Sequence, residues 1–217
     1  MEKAATTRSN DKQCGIDEAG RGPVLGPMVI SLVCADTSVL RDIGVKDSKM
    51  LSRISRERLY DIIISRSNVV KYVEIGPEIL NTLMEKKTLN EIELQFAGEL
   101  LKDATCETYV DCFDVNEERG TAKLSSYSSF PVKCLHSADR KIPAVSAASI
   151  ISKVVRDKRI DSLKNEYGEI GSGYPSDPVT VKFLRDSFRE GRDLSKIARV
   201  RWITYIKMER EMKQQRL

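Results

Sequence analysis

Asp17 and Glu18 stand side by side at the end of a short apolar run, and the turn Gly20-Arg21-Gly22-Pro23 follows at once. Two adjacent acids at a strand end repel each other unless something positive holds them. Glycines on both sides of an arginine let backbone N–H groups approach a flat or anionic ligand. The combination points to a divalent metal beside phosphate. Phosphodiester hydrolysis needs an activated water and charge relief on the leaving oxygen, and two ions about 3.5–4 Å apart supply both. Magnesium and manganese prefer oxygen donors, so such a site is built from three or four carboxylates.

The remaining acids must come from other segments. Asp111 ends the run Thr108-Tyr109-Val110, and Asp139 follows the run Val132–His136 by three residues. Ends of neighbouring strands meet in the ligand crevice of α/β sheets. Asp114, at the mouth of the loop Asn116–Gly120, competes with Asp111. Each of these acids also reads as a turn former, and spacing alone does not select four from 32 Asp and Glu residues. His136 reads as a strand-end residue rather than a base.

Strands are expected at Gln13–Asp17, Met28–Ala35, Val69–Ile75, Glu107–Phe113 and Val132–His136. Helical periodicity covers Ser52–Arg66, with Ile54, Leu59, Ile62 and Ile63 on one face, and then Pro77–Lys86 and Leu89–Lys102. The longest helix is expected at Pro143–Lys164, small and apolar in its first half and charged in its second. A Gly/Pro-rich break, Gly168–Pro178, precedes helices at Val179–Arg189 and Trp202–Lys213. The order gives an α/β fold with a helical C-terminal end. It divides into a catalytic domain, residues 1–168, and a helical extension, 169–217, packed on it.

At 217 residues, 41% hydrophobic and 31% charged, the chain can form one sizeable core. No apolar run approaches the ~18–20 residues of a membrane span. The polar lead Met1–Lys12 has no apolar h-region, which places the protein in the cytoplasm by default. The five cysteines, Cys14, Cys34, Cys106, Cys112 and Cys134, form no CxxC pair and read as small buried hydrophobes in a reducing compartment. With one histidine, zinc has no ligand set. Net charge is +4, and Lys and Arg recur throughout the segment after Ser137. A basic C-terminal third and carboxylates elsewhere suit an enzyme acting on a polyanion.

The stretch Gly15-Ile16-Asp17-Glu18-Ala19-Gly20-Arg21-Gly22-Pro23 resembles the opening motif of type 2 ribonuclease H. Further matches follow in order: Asp47-Ser48-Lys49-Met50-Leu51, Leu89-Asn90, Val110-Asp111, Ser137-Ala138-Asp139, the helix Val145–Asp157, and Gly173-Tyr174-Pro175. The likeness runs from about Cys14 to Thr204 and is closer to the archaeal, single-subunit branch. It implies a ribonuclease H-like fold, with a mixed five-stranded central sheet, flanking helices and a helical C-terminal extension. It implies cleavage of the RNA strand of RNA–DNA hybrids and incision of duplex DNA at embedded ribonucleotides, leaving 5′-phosphate and 3′-hydroxyl ends. Asp17, Glu18, Asp111 and Asp139 are the implied catalytic ligands of two Mg²⁺ or Mn²⁺ ions. Gly20, Arg21 and Gly22 are implied to meet the ribose 2′-OH, and Tyr174 to support that sugar. The 2′-OH is what separates RNA from DNA at one position. Lys49 and Lys153 are the candidate phosphate contacts within these motifs.

Three departures from the family pattern stand out. Arg140-Lys141-Ile142-Pro143 replaces an aromatic before proline, Arg201 stands where serine is usual, and Ser152 where alanine is more frequent. None removes a ligand. The expected partners are RNA–DNA hybrid and ribonucleotide-containing DNA, with no membrane, and the chain is expected to be a monomer. A short sliding-clamp contact is conceivable at Glu211–Leu217, though no aromatic motif marks it. The rival readings are a hybrid-binding protein without turnover and a nuclease acting on DNA alone.

Overall fold

A computed structural model describes residues 11–45 and 51–214. Lys49, one of the expected phosphate contacts, lies outside them.

Five strands form one mixed sheet: β1 (Lys12–Ala19), β2 (Met28–Asp36), β3 (Val69–Ile75), β4 (Thr108–Asp111) and β5 (Val132–Leu135), in the order β3-β2-β1-β4-β5. β1, β4 and β5 run parallel. The helices are α1 (Thr37–Asp42), α2 (Arg53–Arg66), α3 (Pro77–Leu83), α4 (Leu89–Leu101), α5 (Glu117–Ser125), α6 (Pro143–Tyr167), α7 (Pro178–Glu190) and α8 (Ile203–Gln214).

Local chemistry sets several boundaries. The Ser52 hydroxyl accepts from the Ser55 N–H at 3.2 Å and starts α2. Thr88 and Glu91 cap α4 reciprocally: the Glu91 carboxylate accepts from the Thr88 N–H at 2.7 Å, and the Thr88 hydroxyl accepts from the Glu91 N–H at 3.3 Å. α7 opens with Asp177 as cap and Pro178 in the first turn, and ends at Gly191 in the left-handed region.

The chain forms two compact units, each assembled from separated stretches. One holds residues up to Asp17, Ser31–Lys71 and Gly98–Ile150. Its buried side chains include Ile16, Leu32, Leu40, Ile63, Val110, Leu124, Val132 and the small residues Ala144, Ala147 and Ala148. Small residues early in α6 allow close approach to β1: a Cβ at Gly15 would stand 2.2 Å from the Ala144 carbonyl carbon and the Val145 nitrogen. The other unit holds Glu18–Ile30, Tyr72–Ala97 and the chain from Ile151 onward. Its core joins Val24 and Leu25 to Ile160, Leu163, Phe183, Leu184, Ile197, Met208 and Met212. α7 and α8 meet there through Phe188 and Tyr205, edge to face at 5.0 Å.

Three expectations need correction. The cysteines are not all free: Cys14 and Cys34 form a disulfide across the neighbouring strands β1 and β2, while Cys106, Cys112 and Cys134 remain thiols. Strand adjacency, invisible in the spacing, brings the two sulfurs together. The expected buried face of α2 shrinks to Ile63, and Ile54 and Ile62 are exposed. The stretch read as the loop Asn116–Gly120 contains the start of α5, capped by Asn116, whose side chain accepts from the Arg119 N–H at 2.7 Å.

Candidate active site

β1 and β4 are paired so that Ile16 lies opposite Val110. The next residue along both parallel strands is an aspartate, Asp17 on one and Asp111 on the other. β5 continues the ladder, with Leu135 opposite Asp111. The chain then turns back through Ser137, whose φ of 56° is left-handed, into a 3-10 turn at Ala138–Arg140. The Ala138 N–H donates to the Asp111 carboxylate at 2.8 Å, which ties the turn to the tip of β4. Asp139 therefore arrives beside the other two. The Ser146 hydroxyl, one turn into α6, donates to the Asp139 carbonyl.

Asp17, Asp111 and Asp139 each offer an oxygen within 4.8 Å of the others. Asp17 is 5% exposed and Asp139 1%. At that separation two carboxylates repel by about 3 kcal/mol at an effective dielectric constant near 20. Burial removes the water that would soften this. The arrangement is suited to a divalent cation. Three hard oxygen donors with this spread fit Mg²⁺ or Mn²⁺, whose opposite ligands stand roughly 4 Å apart at ~2.1 Å bond lengths. Glu18 is not among these three.

Asp114, the competitor to Asp111, has a structural task. Its carboxylate accepts from Arg119 Nε at 2.9 Å and from the Asn116 N–H at 3.1 Å, with Lys123 Nζ at 3.8 Å. The hydrogen bonds from Arg119, above all, hold its pKa down to about 2. His136 is exposed, and its backbone N–H donates to the Glu117 carboxylate.

The turn after β1 belongs to the second unit and is held from behind by Arg199. This side chain is fully buried. Its Nη2 donates to the Gly20 carbonyl at 2.6 Å, its Nη1 to the Arg21 carbonyl at 3.1 Å and its Nε to the Gly26 carbonyl at 3.0 Å. The guanidinium stacks on Trp202 at 4.9 Å. Burial and the nearby Arg156 charge push its pKa down to about 9, so it stays protonated at neutrality. Gly20 has a φ of 81°, a conformation that disfavours side chains.

Arg21 leaves the turn to pair with buried Glu93 and donates to Asn90 Oδ1 at 2.7 Å, both on α4. Desolvation raises the Glu93 pKa to about 7 against the opposing pull of Arg21.

Tyr174 is 40% exposed beside this turn: a Cβ on Gly22 would lie 3.8 Å from its ring. The loop carrying it is pinned at several points. The Gly173 carbonyl accepts from the Val24 and Leu25 N–H groups at 2.8 and 3.2 Å. Asp177 accepts from the Ser172 N–H at 2.6 Å, the Ser172 hydroxyl at 2.7 Å and the Val179 N–H at 2.9 Å, which lower its pKa to about 2. Arg156 is buried, sits 5.2 Å from the Tyr174 ring centroid and donates to the Ser172 carbonyl at 3.1 Å. It serves the loop. Lys153 is half-buried on α6. Arg201 donates from Nε to the Asn81 carbonyl at 3.0 Å and from Nη2 to Glu85 at 2.9 Å, so it ties the chain to α3 and its C-terminal end.

Arg199, Glu93 and Ser146 escaped the sequence reading as site supports. Buried arginine and glutamate look like surface charge in a sequence, and a helical serine carries no distinguishing signal. In the sequence, the departure at Arg201 is the one pointer to this stretch.

The profile of the Ribonuclease HII family matches residues 14–205. Ribonuclease HII of Thermoplasma volcanium is 53% identical over 200 residues, covering 92% of this chain and 94% of that protein. Ribonuclease H2 of Pyrococcus horikoshii superimposes with a TM-score of 0.86 at 38% identity, covering 94% of this chain and 99% of its own. The Archaeoglobus fulgidus RNase HII, solved in a complex with PCNA, gives a TM-score of 0.83 at 42% identity, covering 88% of this chain and 94% of its own. The chain therefore belongs to the ribonuclease HII family, endoribonucleases that act on RNA–DNA hybrids.

Proposed function

We propose that this enzyme also incises duplex DNA at embedded ribonucleotides, using Mg²⁺ or Mn²⁺ and leaving 5′-phosphate and 3′-hydroxyl ends. The observation that carries this reading is the convergence of Asp17, Asp111 and Asp139 within 4.8 Å. In the proposal these three hold divalent metal, and Glu18 is assigned as the fourth ligand by the family resemblance alone. When bound, the metal supplies an activated water and charge relief on the departing 3′-oxygen. Asp17 and Asp111 would hold the metal from the tips of adjacent strands, and Asp139 would hold it from the turn after β5.

Gly20, Arg21 and Gly22 read the ribose in this proposal. The rigid backing of the turn by Arg199 supports that assignment, because a backbone reader must not move. Tyr174 supports the same sugar, and Lys49 and Lys153 take phosphates. The enzyme acts as a monomer. A sliding clamp is its proposed protein partner, by analogy with the Archaeoglobus relative solved with PCNA.

The test is incision of three duplexes, one all-DNA, one with a single ribonucleotide and one RNA–DNA hybrid, with Mg²⁺, with Mn²⁺ and with chelator. Cutting of the two ribose-containing duplexes, only with metal and not by Asp17→Asn, is expected. Tight binding without cutting would establish a binding protein instead. Cutting of the all-DNA duplex would overturn the ribose-reading assignment. Normal cutting by Asp17→Asn would overturn the metal assignment, and Glu18→Gln tests the fourth ligand separately.

A further inference from the structure

Beside the three aspartates, in the same unit, lies a pocket of different character. Arg41 in α1, Val45 beyond it, and Arg140, Lys141, Ile142 and Ser146 around the start of α6 enclose about 540 Å³. Its three charged lining residues are all cations, and all are exposed. Among the described residues none of the three forms an ion pair. Elsewhere Lys123, Lys133, Lys164 and Arg201 each have a carboxylate partner. Three like charges around one concavity repel one another and raise its affinity for an anion.

Two further features fit a phosphodiester. The 25-residue helix α6 begins at this wall with Pro143, so its positive end adds to the field of the three cations. Ile142 is half-buried in the pocket wall and leaves some apolar surface suited to a sugar next to the phosphate. The pocket is also mechanically joined to the acid group. Arg140 and Lys141 directly follow Asp139, and Ser146 in the pocket wall donates to the Asp139 carbonyl. The segment Arg140-Lys141-Ile142-Pro143 is where the chain departs from the family pattern, with Ile142 in place of the aromatic before the proline.

We infer that Arg41, Arg140 and Lys141 form a second anchor, binding a backbone phosphodiester of the substrate duplex other than the one that is cut. This rests on the proposed function, since it takes the substrate to be a duplex held at the three aspartates. The acids alone would repel the polyanion before metal is bound. A cationic pocket joined to them supplies the attraction that brings the strand there and fixes its register.

The experiment is phosphate neutralisation. Duplexes with one ribonucleotide carry a single uncharged methylphosphonate, moved along both strands one position at a time. Binding is measured by fluorescence anisotropy with the Asp17→Asn enzyme, alone and combined with Arg140→Met and Lys141→Met. Neutralising one phosphate away from the cut is expected to weaken binding roughly fivefold in the Asp17→Asn enzyme and to have no effect in the triple variant. The triple variant should bind the unmodified duplex about tenfold more weakly, with a shallower dependence on salt. An unchanged interference pattern in the triple variant overturns the inference, as does an unchanged salt slope. Should that variant fail to fold, Arg41→Glu gives the same readout from the α1 side of the pocket. Incision by the wild-type enzyme tests the underlying function separately. If it cuts nothing while one phosphate position still depends on Arg140 and Lys141, the pocket stands and the enzymatic reading falls.

Discussion

Replacing Arg199 with methionine tests whether the turn after β1 is held rigid by one buried cation. Methionine keeps much of the volume and can still pack near Trp202, so the main change is loss of the guanidinium. Three carbonyls, of Gly20, Arg21 and Gly26, lose donors now at 2.6, 3.1 and 3.0 Å. Hydrogen bonds to charged groups contribute about 1.5–3 kcal/mol each, a gross loss of roughly 4.5–9 kcal/mol. Removing the arginine also removes the cost of desolvating it, several kcal/mol for a fully buried ion. The net destabilisation expected is about 2–5 kcal/mol, a large share of a typical domain's stability. Urea unfolding measures the sum, and amide hydrogen exchange locates it. Exchange should quicken first at Gly20–Gly26, before the amides of β4 and β5. Arg199→Lys keeps the charge but offers one point donor in place of a three-way fork, so it should recover only part of the loss. An unfolding free energy within about 0.5 kcal/mol of wild type for Arg199→Met, or full recovery by lysine, would refute the reasoning.

Other perturbations give equally definite outcomes. Asp139→Asn removes one of the three converging carboxylates, so the Tm increase given by Mn²⁺ in thermal melts should shrink or vanish. Glu93 has a native pKa raised to about 7 against 4.5. Between those values the folded state holds more protons than the unfolded, so stability from this group falls as pH rises through that window. Glu93→Gln should flatten the fall, seen as a smaller Tm difference between pH 5 and pH 8; an identical pH profile would show that Arg21 keeps Glu93 ionised. Asp177→Ala removes the α7 cap and the ties to Ser172, and should cost about 1–2 kcal/mol. Its effect on incision should fall on KM for ribonucleotide-containing duplex, because the loop bearing Tyr174 loosens while the acids are untouched.

Much of this molecule could be read from its sequence because the informative residues obey short-range rules. The strand Val69–Ile75 and the start of the long helix at Pro143 fall where the apolar pattern and the proline put them. Asp111 was legible at a strand tip and Asp139 just beyond one, although only the family resemblance singled them out. Other features depend on distant contacts that no local pattern records. The Cys14–Cys34 bond requires knowing that β1 and β2 are neighbours. Arg199 contacts a turn more than 170 residues earlier in the chain. α5 is short and sits between residues that also suit a loop, and its cap at Asn116 looks like any turn asparagine. The exposed Ile54 and Ile62 on α2 show that a helical apolar stripe need not be fully covered.

The contact between Gly15 and the first turn of α6 makes mutational tolerance uneven along β1. A single methyl group at position 15 would meet backbone atoms at 2.2–2.5 Å, where no side chain can swing aside. The helix would have to lift away, and its start lies only four residues beyond Asp139. Asp17, two positions on, can be exchanged for an asparagine of the same size without any such backbone clash. A lineage could thus discard the chemistry in one step and keep the scaffold, yet it could not enlarge the glycine without disturbing both. Selection for a folded chain alone would preserve Gly15 long after the acids had drifted, so an inactive descendant should be recognisable by a glycine that outlives its aspartates.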